Sequence, residues 1–173
     1  TKRKVIKPAD LNGLKLRVPE LPVYIESWML FGANPTPIAY SDMFMALKQG
    51  IVDGQENPLE TICTSHLYET QKYVMETNHL LSYYIVAVGD HFYEKFEREQ
   101  QEVVIQAIKE SAVYQNELME EYENSYKKIL NEHHVEFIPV DREAFEKIAL
   151  EKIAPALSER LSPGIIKRIT AVK

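Results

Sequence analysis

The sequence predicts an α/β fold organised along one unusually long helix, and three observations carry that prediction. Short extended segments such as residues 14–18 and 72–75 alternate with helical periodicities, the pattern of parallel strands joined by helical crossovers. Residues 99–134 contain neither glycine nor proline, and Val104, Ile108, Ala112, Met119, Tyr122, Tyr126 and Ile129 recur at helical spacing. Residues 80–89 are apolar nearly throughout and rich in β-branched and aromatic side chains, which reads as a sheet strand buried on both faces.

In chain order, residues 8–13 are turn chemistry, and Leu14-Lys15-Leu16-Arg17-Val18 alternates as a half-buried strand. Pro19 and Pro22 break it, and residues 23–31 form a helix closed by Gly32. Residues 35–40 return as an extended segment. Ser41 is placed to cap a helix that runs to Gly50 on the stripe Met43, Phe44, Leu47. Ile51 and Val52 then read as a very short strand, Gly54 as a turn, and Asn57-Pro58 as the opening of a helix reaching about Tyr68. After the long helix, residues 135–140 alternate as a strand. Asp141 caps a helix, Pro155 kinks or breaks it, and Ser162-Pro163 begins a last one carrying Ile165, Ile166 and Ile169.

Composition narrows the function. With 173 residues and 45% hydrophobic content the chain can bury one good core or two small lobes sharing a long element. A net charge of -6 and only one basic cluster, Lys2-Arg3-Lys4, argue against nucleic acid as a partner. No apolar run approaches the roughly 20 residues that span a bilayer, and no signal peptide is recognisable, so Thr1 is expected to be a processed or truncated start. Cys63, the single cysteine, permits no internal disulfide.

Two sets of residues could carry chemistry. Cys63 and His66, three apart on one helix, could form a thiolate–imidazole pair, but the spacing supplies no orienting group or oxyanion pocket. Glu132-His133-His134 reads as a solvated helix end rather than a metal site, and Glu117, Glu120, Glu121 and Glu123 as the wet face of the long helix. Arg17, Tyr40 and Asn57 differ, because each sits where an extended segment gives way to a turn or helix. In open α/β sheets that is where ligands bind. Arg17 would offer a planar donor fork to a carboxylate, Asn57 an amide donor, and Tyr40 a ring wall. Spacing alone leaves the ordinary roles open, as surface charge, helix cap and core ring.

The runs Asp10-Leu11-Asn12-Gly13-Leu14-Lys15-Leu16-Arg17-Val18-Pro19, Gly32-Ala33-Asn34-Pro35-Thr36-Pro37 and Leu47-Lys48-Gln49-Gly50-Ile51-Val52-Asp53-Gly54-Gln55-Glu56-Asn57-Pro58-Leu59 occur in an order and spacing that resemble the solute-binding proteins of TRAP transporters. That is the tripartite ATP-independent periplasmic, DctP-like family, often described for dicarboxylates. The resemblance implies that Arg17 pairs with the substrate carboxylate, Asn57 contacts the same group and Tyr40 lines the pocket; Gln55 and Glu56 take turn-forming roles. It implies a periplasmic binding protein-like lobe, a mixed sheet flanked by helices, with a long helix spanning two lobes.

The resemblance covers only the family's C-terminal part, with the first lobe largely missing. Residues 1–79 would be the second, ligand-binding lobe. Residues 80–122 would pack on the absent lobe, and 123–173 would return to the second. The expected function is extracytoplasmic, periplasmic capture of a small organic anion and its delivery to membrane permease subunits, without enzymatic activity, cofactor or metal. The alternatives are a ligand sensor for a signalling receptor and an α/β enzyme using Cys63 and His66. The apolar strand at 80–89 is expected to drive self-association, and the chain alone to bind ligand weakly or not at all.

Overall fold

The computed structural model describes residues 1–81, 83, 85–158, 160 and 162–171. Strand β1 (Lys15–Val18) lies at the centre of a small parallel sheet, between β2 (Asn34–Pro37) and β3 (Gly54–Gln55). Leu16 faces Pro35 on one side and Gly54 on the other; Arg17 faces Thr36 and Gln55. The central position explains why β1 is buried at Leu16, Arg17 and Val18 alike, where alternation suggested one wet face. Strand β2 is an edge strand, and its prolines suit that position. Asn34 N and Ile38 N donate to Leu14 O and Val18 O on β1, so the intervening Pro35 and Pro37 lie where no ladder donor is needed.

Helix α1 (Pro22–Phe31) makes the β1 to β2 crossover, with Pro22 in its first turn and Gly32 at φ 103° as its left-handed C-cap. Helix α2 (Met43–Lys48) makes the crossover from β2 to β3. A 3-10 turn, Tyr40–Asp42, precedes it, and Ser41 caps nothing: its hydroxyl meets Asp42 Oδ1 at 3.4 Å. The short strand expected at Ile51 and Val52 forms instead at Gly54–Gln55. Asp53 sets that register from both its backbone and its side chain, its N donating to Lys15 O at 2.8 Å and its Oδ2 accepting from Lys15 N at 2.9 Å. Gly54 serves close approach rather than a turn, since an added Cβ would lie 2.6 Å from Thr1 Cγ2.

Helix α3 (Leu59–Thr64) leads to a second parallel pair, β4 (Tyr73–Met75) with β5 (Glu136–Ile138). The sheet is thus divided in two, and both parts are parallel among the described residues. Residues 1 and 2 link them: Lys2 N donates to Asp53 O, while Thr1 O accepts from Lys72 N and Tyr73 N.

A one-turn helix α4 (Asp90–Tyr93) precedes α5 (Arg98–Glu132), 35 residues that span about 50 Å. This is the long helix that the absence of glycine and proline predicted. Its core anchor is at the C-terminal end, where Leu130 is fully buried, while Val103, Val113 and Tyr114 stand in solvent. Glu117, Glu121 and Glu123 are exposed, and the side chain of Glu120 lies outside the described set. Asp141 caps α6 (Arg142–Ile148) as expected, its Oδ1 accepting from Ala144 N at 3.1 Å. A π-helical turn (Ala149–Ile153) joins α6 to α7 (Ala154–Ser158), just ahead of Pro155, so the helix changes winding rather than breaking. Helix α8 (Ile165–Thr170) starts after Gly164, not at Ser162.

Two clusters of buried side chains hold these elements together. One joins Leu14, Leu16 and Val18 to Trp28, Phe31, Phe145 and Ile153; the other joins Met43, Leu47, Val52, Ile62, Leu67, Leu130 and Val135. The C-terminal helices therefore complete a core begun by the first strand.

The stretch at 80–89 corrects the expectation of a strand buried on both faces. Its described residues form no strand, and Leu81 is 86% exposed, with Tyr83, Ile85 and Val86 also in solvent. Ser82 and Tyr84, part of the same expected strand, lie outside the described residues. Composition favours extension, but a strand exists only when another backbone accepts its hydrogen bonds, and no described segment does so here.

Candidate functional site

The parallel order of the first sheet brings the carboxyl ends of β1, β2 and β3 to one edge. There β1 presents Arg17, the segment after β2 presents Ile38 and Tyr40, and β3 presents Gln55 followed by Glu56 and Asn57. Arg17 is only 3% exposed. Its Nε donates to Ile38 O at 2.9 Å, and among the described residues it has no other hydrogen-bond partner and no ion pair. The Nη donors of the fork therefore have no protein partner in that set. Burial pushes the guanidinium pKa down from its ordinary value, and the nearby Glu56, Tyr40 and Glu20 pull it partly back up. Arginine stays charged under such pressure, so the edge holds a desolvated cation without a bonded counter-ion.

Asn57 does not cap α3. Pro58 occupies the cap position without a side-chain bond, and the Asn57 amide turns back toward the sheet. Its Nδ2 donates to Gln55 Oε1 at 2.5 Å and approaches Met43 Sδ at 3.5 Å. Tyr40 is half in solvent, its hydroxyl bonded to Ser65 Oγ at 2.5 Å, and is close enough for its charge state to be felt by Arg17. The structure thus gathers the three residues at one sheet edge. A cleft of about 370 Å³ between residues 74–80, the start of α3 and α5 is lined by Glu56, Asn57, His79 and Tyr126, and by neither Arg17 nor Tyr40.

Two further residues at this edge, His79 and Glu56, were given no site role by sequence reasoning. His79 Nε2 lies 3.3 Å from Glu56 Oε2, its Nδ1 is 2.7 Å from Thr77 Oγ1, and its ring sits edge-on to Trp28 at 4.8 Å. Glu56, read as a turn residue, is thus the acidic centre of the edge, between Arg17 and His79; its charge also raises the Tyr24 pKa, after burial, which is the larger cause. Position in the motif was the only signal for Glu56. Nothing in the spacing pointed to His79.

The alternative pair separates. Helix α3 ends at Thr64, and His66 takes a left-handed backbone at φ 52°, its Nδ1 bonding the Tyr68 hydroxyl at 2.6 Å. Cys63 Sγ donates instead to Tyr126 O at 3.6 Å. Burial pushes the Cys63 thiol up, which is the wrong direction for a nucleophile at neutral pH. We expect Cys63 to react with iodoacetamide at pH 8 more slowly than a free cysteine, and to reach the free rate only in denaturant; rapid alkylation of the native chain would contradict this. His133 stacks on Tyr68 at 4.2 Å, and no group of three or more candidate ligands for a metal occurs among the described residues.

Known proteins bear on this edge. The family model for bacterial extracellular solute-binding protein, family 7 (DctP), matches residues 1–159. A solute-binding protein of Roseobacter denitrificans is 34% identical over 94% of this chain and 50% of its own length. The 2,3-diketo-L-gulonate-binding periplasmic protein YiaO of Escherichia coli K12 is 31% identical over 80% of this chain and 42% of its own. The crystal structure of a TRAP periplasmic solute-binding protein from Roseobacter denitrificans OCh 114, with bound L-galactonate, superposes with a TM-score of 0.80 at 32% identity. It covers 98% of this chain, which in turn covers 55% of it. The chain spans about half the length of the curated relatives it matches. None of the described helices is long and apolar enough to cross a membrane.

Proposed function

This chain belongs to bacterial extracellular solute-binding protein family 7, and we propose that it supplies the lobe that grips a small organic acid by its carboxylate, with Arg17, Asn57 and Tyr40 as the contacting residues. Family members are solute-binding proteins, and those compared above are periplasmic by description. The role follows from theirs: extracytoplasmic, non-enzymatic capture of the acid and delivery to the permease subunits of a TRAP-type transporter.

One observation carries the reading. Arg17 is buried, charged and without an ion-pair partner among the described residues. Such a cation costs free energy that an incoming carboxylate repays by accepting from both Nη groups. L-galactonate and 2,3-diketo-L-gulonate, named for the two relatives, are polyhydroxylated monoacids. That chemistry fits an edge whose nearest acidic neighbour by its effect on Arg17 is Glu56, which accepts from hydroxyl groups and repels a second carboxylate. The preferred ligand is therefore a sugar acid rather than the dicarboxylate for which the family is often described.

The test is a ¹⁵N NMR titration of the chain with L-galactonate and succinate, a method that reads millimolar binding. L-galactonate is expected to move the Arg17 Nε and Asn57 side-chain signals, and succinate to move them less. Absence of any shift at Arg17 with either acid, both in this chain and in a chain extended to the length of its relatives, would remove the carboxylate site.

The exposed apolar segment around Leu81 and Ile85 bears on association as well. Apolar side chains beside backbone that joins no strand among the described residues favour pairing with a second copy. Size-exclusion chromatography with light scattering is expected to give a mass above the 20.0 kDa of one chain, and Ile85→Lys to lower it. A monodisperse monomer would refute association through this segment.

A further inference from the structure

We propose that Gln55 is a positioning residue that presents the Asn57 amide to the ligand carboxylate; the inference rests on the carboxylate-site reading of this edge. Gln55 is the register partner of Arg17 across the β1–β3 pair, and the residue is only 9% exposed. Register partners on neighbouring strands project to the same face of a sheet, so Gln55 stands beside the guanidinium stem. Its own backbone is pinned, because β3 is held in register by the two Asp53 bonds to Lys15. A rigid acceptor is thereby placed two residues before Asn57.

An asparagine amide has one accepting and one donating end, and a carboxylate can use only the donating end. Left free, the Asn57 side chain could turn Oδ1 toward the ligand and repel it. Gln55 Oε1 removes that freedom by accepting from Asn57 Nδ2 at 2.5 Å. It uses one of the two Nδ2 hydrogens. Among the described residues the other meets only Met43 Sδ, at 3.5 Å, a weak acceptor that yields to a carboxylate oxygen. The donating end of the amide is therefore fixed before ligand arrives, and binding has only to exchange the weak Met43 contact for a carboxylate oxygen. The simpler role, in which Gln55 merely fills space at the strand edge, needs neither the short bond nor a link to affinity.

Two measurements decide between them. In the unsubstituted chain, ¹⁵N-resolved hydrogen exchange is expected to show the Asn57 Nδ2 hydrogen on Gln55 strongly protected and its geminal partner, on the weak Met43 acceptor, clearly less so. Equal free exchange of both would overturn the Gln55–Asn57 link, with no ligand and no variant required. In L-galactonate binding, Gln55→Met, which keeps length but replaces the amide oxygen with only a weak thioether acceptor, is expected to lose about tenfold in affinity. In an Asn57→Ala background the same substitution is expected to change nothing further. Additive losses in that cycle would show that Gln55 acts on its own and would overturn the proposal. If Arg17→Ala binds L-galactonate unchanged, the carboxylate-site reading fails by itself, and the exchange result still decides the positioning link.

Discussion

Arg17→Ala is expected to weaken binding of a carboxylate ligand by at least about a hundredfold. A charge-assisted, bidentate pair in a desolvated setting is worth roughly 2–5 kcal/mol when one partner is removed, and about 1.4 kcal/mol is a factor of ten. The upper part of that range applies because Ile38 O fixes the guanidinium plane through Nε, leaving the parallel Nη donors oriented in advance. Arg17→Lys separates charge from geometry: it keeps the cation, loses the fork, and is expected to fall between the two, about tenfold weaker than the original. Calorimetry or NMR titration with L-galactonate reads both variants, and thermal unfolding checks that each remains folded. Equal affinity in Arg17→Ala would show that the buried cation serves the fold and not the ligand.

Leu130→Ala is expected to lower the unfolding free energy by about 3 kcal/mol, within the range of roughly 2–5 kcal/mol for truncating a fully buried leucine. For a chain of this size that is a fall in melting temperature of about 6–12 °C. Its position makes the effect informative. Leu130 sits in the cluster with Met43, Leu47, Ile62, Leu67 and Val135, so it fastens the long helix to elements from much earlier in the chain. Val113→Ser, on the same helix at a position 60% exposed, is expected to change stability by less than about 0.5 kcal/mol. Thermal denaturation followed by circular dichroism compares the two. A similar loss in both would mean that the forward part of α5 is packed in solution and not, as here, exposed.

The parts of this fold that were legible in the sequence are those governed by local chemistry. Helix α1 ends at Gly32 because only glycine takes φ 103° without strain, and α6 starts at Asp141 because a carboxylate there meets a free N–H. The long helix followed from residues that neither break nor cap. The candidate site was legible in part, since Arg17 and Asn57 stand in motifs, yet the Asn57 side chain makes a contact that local rules misassign. Beside Pro58 those rules read a helix cap; the structure turns it to Gln55, because β3 forms three residues later than the pattern of Ile51 and Val52 suggested.

Where the outcome depended on partners distant in sequence, the residues could not foretell it. The stretch at 80–89 has strand composition without a strand to join, and His79 finds Glu56 and Trp28 across 23 and 51 positions. By itself, then, the sequence determined the α/β class, the long helix, the caps at Gly32 and Asp141 and the family motif, because each depends on a few neighbouring residues. Tertiary structure decided the burial and unpaired state of Arg17, the register that puts Gln55 beside it, and the edge where Glu56 and His79 meet. Hydrogen bonds between strands and the exclusion of water are properties of segments brought together, and no single segment contains them.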